Sequence, residues 1–133
     1  MSEIRHIRPA GLSNSPAYTH VIGARGTETL YISGQVAIDE SGKTVGVGDL
    51  AAQTQQVMKN LETALHAAGA TFADVVKLTT FVVDYIPEHR TIIGGVRSSY
   101  LPKDKPPAST LVGVSALAAA DWLIEIEAVA VIG

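Results

Sequence analysis

Residues 106–133 read PPASTLVGVSALAAADWLIEIEAVAVIG, and the strand inside this stretch decides the fold. Side chains alternate between the two faces of a strand. In LIEIEAVAVI, Ile124, Ile126, Ala128 and Ala130 therefore point one way, and Leu123, Glu125, Glu127, Val129 and Val131 the other. Two acids share a face with apolar neighbours. Either that face borders solvent at a sheet edge, or it borders a cleft between subunits. In a cleft, a carboxylate would hold a water or take up a proton, its pKa raised by burial.

Upstream, the β-branched, mostly apolar DVVKLTTFVVDY (74–85) reads as a central strand, and STLVGVSAL (109–117) as the strand that follows the rigid loop LPKDKPP. Asp49 is placed to cap a helix whose stripe is Leu50, Thr54, Val57, Met58, Leu61, Leu65 and Ala68, closed by Gly69. Pro87 suits the first turn of a second helix that runs to about Leu101. Gly94 and Gly95 inside it cost about 1 kcal/mol each relative to alanine, a sign of close packing or of a weak helix. Near the N-terminus, EIRHIRP reads as an edge strand. Thr19–Ala24 and Glu28–Val36 read as two strands of a hairpin turned at Gly26.

The order is β-β-β-α-β-α-β-β. It predicts one α+β domain over 1–133: a mixed sheet with both helices on one face and the other face bare, to be covered by further subunits. Hydrophobic residues make up 47% of the chain and charged residues 17%, below the usual quarter or so, which points the same way.

Net charge is -3 and the ten Lys and Arg are scattered, so there is no basic field for nucleic acid. The absence of cysteine removes thiol chemistry. His6, His20, His66 and His89 lack metal-type spacing, so no metal is expected. No signal core or membrane span is visible, and the expectation is a soluble, cytoplasmic protein.

Four landmarks, YISGQVAID (31–39), AAGATFADVVKLTTFVVD (67–84), PPASTLVGVSAL (106–117) and LIEIEAVAV (123–131), resemble the RidA/YjgF family in order and spacing. That family was formerly called the L-PSP endoribonuclease family. The resemblance implies a chorismate-mutase-like subunit, a homotrimer with a cleft at each interface, and a small-molecule substrate. It also implies cofactor-free hydrolysis of an enamine or imine to a carbonyl compound and ammonia.

Carried over residue by residue, the family's aromatic residue matches Tyr18, and its Ser-Gly-Gln segment matches Ser33, Gly34 and Gln35. Its water-orienting glutamate matches Glu125, with Glu127 two residues away on the same face. The deaminase pattern Pro-Ala-Arg-Ser/Thr reads PAST here, so Ser109 stands where an arginine would grip a substrate carboxylate bidentately. The family's cysteine matches Leu111, and its asparagine falls near Ile92 or Ile93. The small 2-imino acids of the arginine-bearing members are therefore not the expected substrates; the chain resembles the arginine-lacking subgroups.

Ser109 and Thr110 are the expected substrate contacts, beside Tyr18, Ser33 and Gly34. Arg97, seven residues beyond Arg90, is either part of a solvated or subunit-pairing face or a substitute for the missing arginine. The alternative to a hydrolase is a non-catalytic trimer that binds a metabolite or partner. A 2-aminomuconate-type deaminase and an endoribonuclease rank below both.

Overall fold

The structure is a computed structural model that describes residues 1–133. Helix α1 (Leu50–Ala67) begins at Asp49, whose carboxylate accepts the Ala52 N–H at 3.0 Å. It ends where the Gly69 and Ala70 N–H groups donate to the His66 and Leu65 carbonyls, which closes the last turn. Its apolar stripe buries Val57, Met58, Leu61 and Leu65 completely. Ala68 lies exposed beyond the last turn. Gln53 is also fully buried. Its amide donates to the Gly46 and Asp121 carbonyls and accepts the Leu123 N–H, so one side chain ties α1 to the loop before it and to the entry of the last strand.

The stripe packs on a four-stranded sheet of order β3-β6-β4-β5: β3 is Glu28–Gln35, β4 Val75–Val83, β5 Ala108–Val114 and β6 Ile124–Ile132. Strand β4 runs parallel to β5 and antiparallel to β6, and β3 closes the other edge antiparallel to β6. Leu78 and Val82 of β4 and Ile124, Ile126, Ala128 and Ala130 of β6 meet α1, and Ile93 of α2 (Pro87–Arg97) joins the same core. Each large side chain buried there contributes about 1.5–3 kcal/mol. Both helices lie on this face, as the alternation in β6 requires.

On the opposite face Tyr31 is 81% exposed, and Lys77, Thr79, Phe81, Val112 and Glu125 are exposed or half-buried. No helix covers them.

The expected hairpin of the second and third strands does not form. Strand β2 (Val21–Arg25) pairs with β1 (Glu3–Ile7) in a separate two-stranded ribbon, while β3 pairs with β6. The turn residues ARGTE carry the chain across the end of β6 instead. The Thr27 N–H donates to the Ile132 carbonyl at 3.0 Å, and a Cβ at Gly26 would lie 2.5 Å from that carbonyl oxygen. Gly26 serves close backbone approach rather than a two-strand turn. Helix α2 is also shorter than expected, and side chains at Gly94 and Gly95 would meet nothing, so these glycines do not mark close packing.

Candidate functional site

The chain from Arg8 to His20 folds back over the loop before β5. The Arg8 guanidinium donates to the Ser15 carbonyl at 2.9 Å and to the Asn14 side chain at 3.3 Å. Buried Thr19 donates its N–H to the Pro107 carbonyl and its hydroxyl to the Pro106 carbonyl, at 3.2 and 2.6 Å. These bonds set Tyr18 beside the head of β5. Between this loop, α2 and β5 lies a cavity of about 940 Å3. Tyr18 and Ser109 line it, together with Ile93 and Leu111.

The cavity also contains a residue whose role the sequence left undecided. Arg97 is only 9% exposed. Its Nη2 donates to the Ser109 hydroxyl at 3.3 Å, its one side-chain hydrogen bond within the chain. Burial holds its pKa below the ordinary arginine value, and no carboxylate offsets that effect. Arg90 and Lys103 line the cavity as well, and no Asp or Glu does. A solvated helix face does not describe Arg97. The sequence carried a partial signal, a cation in the last turn of a helix, but nothing local distinguishes an exposed arginine there from one folded inward.

Glu125 stands on the other side of the sheet. It pairs across the ladder with Phe81, whereas Ser109 pairs with buried Leu78 on the helix side. A bulge in β3 between Ile32 and Gln35 brings Ser33 and Gly34 past β6. A Cβ at Gly34 would overlap the Glu125 carboxylate, so glycine is what lets the acid lie against this strand. Thr110 shares the Glu125 face, where its hydroxyl accepts from the Lys77 ammonium at 2.6 Å. Glu127, opposite Thr79, is exposed.

The sequence-derived residues therefore form two groups. Tyr18 and Ser109 meet at the cavity; Gly34 and Glu125 meet on the other side of the sheet, with Ser33 beside Gly34, and Thr110 shares that face two strands away from Glu125. The adjacent residues Ser109 and Thr110 are separated by strand alternation. His20 is not on the cavity wall; its ring packs edge-on to Tyr18 at 5.1 Å, with Nε2 2.7 Å from the Ser13 carbonyl. No group of three or more His, Cys, Asp or Glu gathers in a metal-binding arrangement. No helix is long and apolar enough to cross a membrane.

Two helices on one face of a mixed sheet, with a cationic cavity beside the head of β5, define a small α+β domain. Residues 11–132 match the family described as Endoribonuclease L-PSP. A RutC family protein of Sulfurisphaera tokodaii is 40% identical over 98 residues, covering 74% of this chain and 75% of the relative. One from Pyrococcus horikoshii is 39% identical over 101 residues, covering 76% and 77%.

Among solved structures, a Rid family protein of unknown function from Yersinia pestis superposes with a TM-score of 0.92 at 42% identity, covering 96% of this chain and 98% of that one. RidA from an Antarctic Psychrobacter superposes at 0.71 with 28% identity, covering 95% and 94%. The chain belongs to the Rid/YjgF family. Membership supports a role in small-metabolite deamination, imine hydrolysis or binding.

Proposed function

We propose that this protein is a Rid-type hydrolase that adds water to an enamine or imine metabolite and releases ammonia. The observation that carries the reading is the convergence of Tyr18 and Ser109 on one cavity while Glu125 is held by Gly34 on the bare face of the sheet. A sheet separates the two groups, so Glu125 serves the cavity of an adjoining copy. A homotrimer with a cleft at each interface supplies that arrangement, and Ser33, Gly34 and Thr110 border the same cleft.

The chemistry asked of the site is modest. The C=N carbon is electrophilic. Glu125 orients a water toward it and takes up the water's proton as the C–O bond forms. That proton passes to the nitrogen to give the carbinolamine; the carbinol O–H proton then moves to the same nitrogen as the C–N bond breaks, so that ammonia leaves and the carbonyl forms. Ser109 offers only a hydroxyl where the arginine-bearing members have a guanidinium. The substrate is therefore not gripped from β5 as a small 2-imino acid would be.

The test is ammonia release from a panel of imines generated enzymatically in situ. Acceleration that falls at least about tenfold in Glu125→Gln but persists in Glu127→Gln supports the reading. No acceleration by the wild type, or equal rates for wild type and Glu125→Gln, refutes it. The resemblance matches Leu111 to a cysteine and places an asparagine near Ile92 or Ile93, and apolar residues at these positions favour one alternative, a trimer that binds a metabolite without turnover. In that case a ligand that stabilises the protein would be recovered unchanged.

A further inference from the structure

We infer that the cavity between α2 and β5 is a site for a small two-ended anion, one anionic group seated on Arg97 and Ser109 and the other held at the mouth by Arg90 and Lys103. The cavity has three cationic side chains on its wall and no acidic one. An arginine 9% exposed, with a single neutral hydrogen-bond partner, leaves most of its five N–H donors unused inside the chain. A buried charge without a partner is costly, and an anion drawn from solution is the natural counter-charge. The guanidinium fork suits a carboxylate or phosphate edge.

Arg90 and Arg97 are seven residues apart on α2, about 10 Å along its axis, and they differ in setting: Arg97 is buried against Ser109, whereas Arg90 stays at the exposed mouth. Arg90 and Lys103 are exposed, so they hold the second group near solvent. Ile93 and Leu111 give the wall an apolar part suited to a short carbon skeleton. Even with one Glu125 from an adjoining copy facing the cleft, cations remain in excess. The other surface groove, between Gln35–Glu40 and α1, has no such feature: the Asn60 amide there already donates to the Val36 and Ile38 carbonyls.

This inference concerns the same cavity as the proposed hydrolase and names its substrate class, a dicarboxylic or phosphorylated carboxylic imine. Its test does not need turnover. Isothermal titration calorimetry on the full-length protein at low salt would use pyruvate, 2-oxoglutarate, 3-phosphoglycerate and inorganic phosphate. At least one two-ended probe is expected to bind about tenfold or more tightly than pyruvate and than phosphate. The better of the two identifies the second group as carboxylate or phosphate.

Arg97→Met should weaken that probe by about tenfold to a hundredfold. Arg90→Ala with Lys103→Ala should bring it to the level of pyruvate, weakening the two-ended probe by about tenfold more than it weakens pyruvate. The inference is overturned if no probe binds, if pyruvate or phosphate binds as tightly, or if the rim variant keeps the preference. The exposed rim pair carries this test even where Arg97→Met fails to fold. Two-ended binding without ammonia release removes the hydrolase and keeps the site; turnover of one-ended imines with no such preference does the reverse.

Discussion

Arg97 Nη2 donates to the Ser109 hydroxyl across 3.3 Å, joining the last turn of α2 to the head of β5. The pair brings a guanidinium from the helix to the head of β5. It also predicts an unusual stability result. A buried charge that meets only a hydroxyl pays desolvation without a Coulombic return. Arg97→Met keeps the apolar stem and removes the charge. The ligand-free variant should be as stable as the wild type or more stable by about 1 kcal/mol in urea unfolding. An arginine retained for structure alone would give a clear loss.

Gly34 and Glu125 form the second relationship. A methyl group at Gly34 collides with the carboxylate, so Gly34→Ala should destabilise by about 1–3 kcal/mol. Glu125→Ala removes the obstacle. A double-mutant cycle in urea should therefore show the Gly34→Ala cost shrinking by at least about 0.5 kcal/mol in the Glu125→Ala background. Additive costs would mean that the two residues do not constrain each other.

Period-two alternation made the two faces of β6 legible, and period 3.6 made the stripe of α1 legible, because each depends on which residues repeat rather than on distant partners. The same alternation in β5 would have separated Ser109 from Thr110; that signal was available. Other features lacked one. Gly26 reads the same whether the chain turns into a hairpin or squeezes past the end of β6. Gln53 is polar in an apolar row, and its partners at Gly46, Asp121 and Leu123 lie mostly far off in sequence. Arg97 reads as a surface cation until α2 is laid against β5.

Thr80 on β4 is fully buried between the helices and the sheet, and its Oγ1 has no hydrogen-bond partner. Its ladder neighbours are Leu111 and Ile126. An unsatisfied buried hydroxyl costs about 1–3 kcal/mol, and valine has nearly its shape. Thr80→Val should raise the urea midpoint at unchanged slope, a gain of about 1 kcal/mol. A lower midpoint would mean that the hydroxyl is satisfied.

His6 on β1 titrates below the ordinary histidine value, first because of partial burial and then because the Lys105 ammonium lies near; Arg8 adds a smaller push, and a backbone bond at Lys105 opposes them. The folded state thus prefers the neutral ring. As pH falls through the ordinary histidine range near about 6.5, the unfolded chain takes up the proton first and stability declines. The decline ends below the lowered folded value. Urea midpoints at pH 7.5 and 5.5 should therefore separate by more in wild type than in His6→Gln, roughly bracketing that range. Equal separations would show that His6 carries no such linkage.

The division of the site by the sheet yields the most demanding prediction. If each working cleft takes its cavity from one copy and Glu125 from the next, a chain lacking Glu125 and a chain lacking Arg97 are each inactive for different reasons. Glu125→Gln spoils the acid it lends and keeps its own cavity. Arg97→Met does the opposite. Co-expressed at equal levels and assembled at random, about one cleft in four joins an intact cavity to an intact acid. Ammonia release should then recover to roughly a quarter of the wild-type rate, while the separately purified variants mixed without exchange stay inactive. A cavity and acid working within one chain would give no recovery under either condition. Light scattering of the same preparations would count the copies directly, and a monomer retaining full turnover would remove the shared cleft altogether.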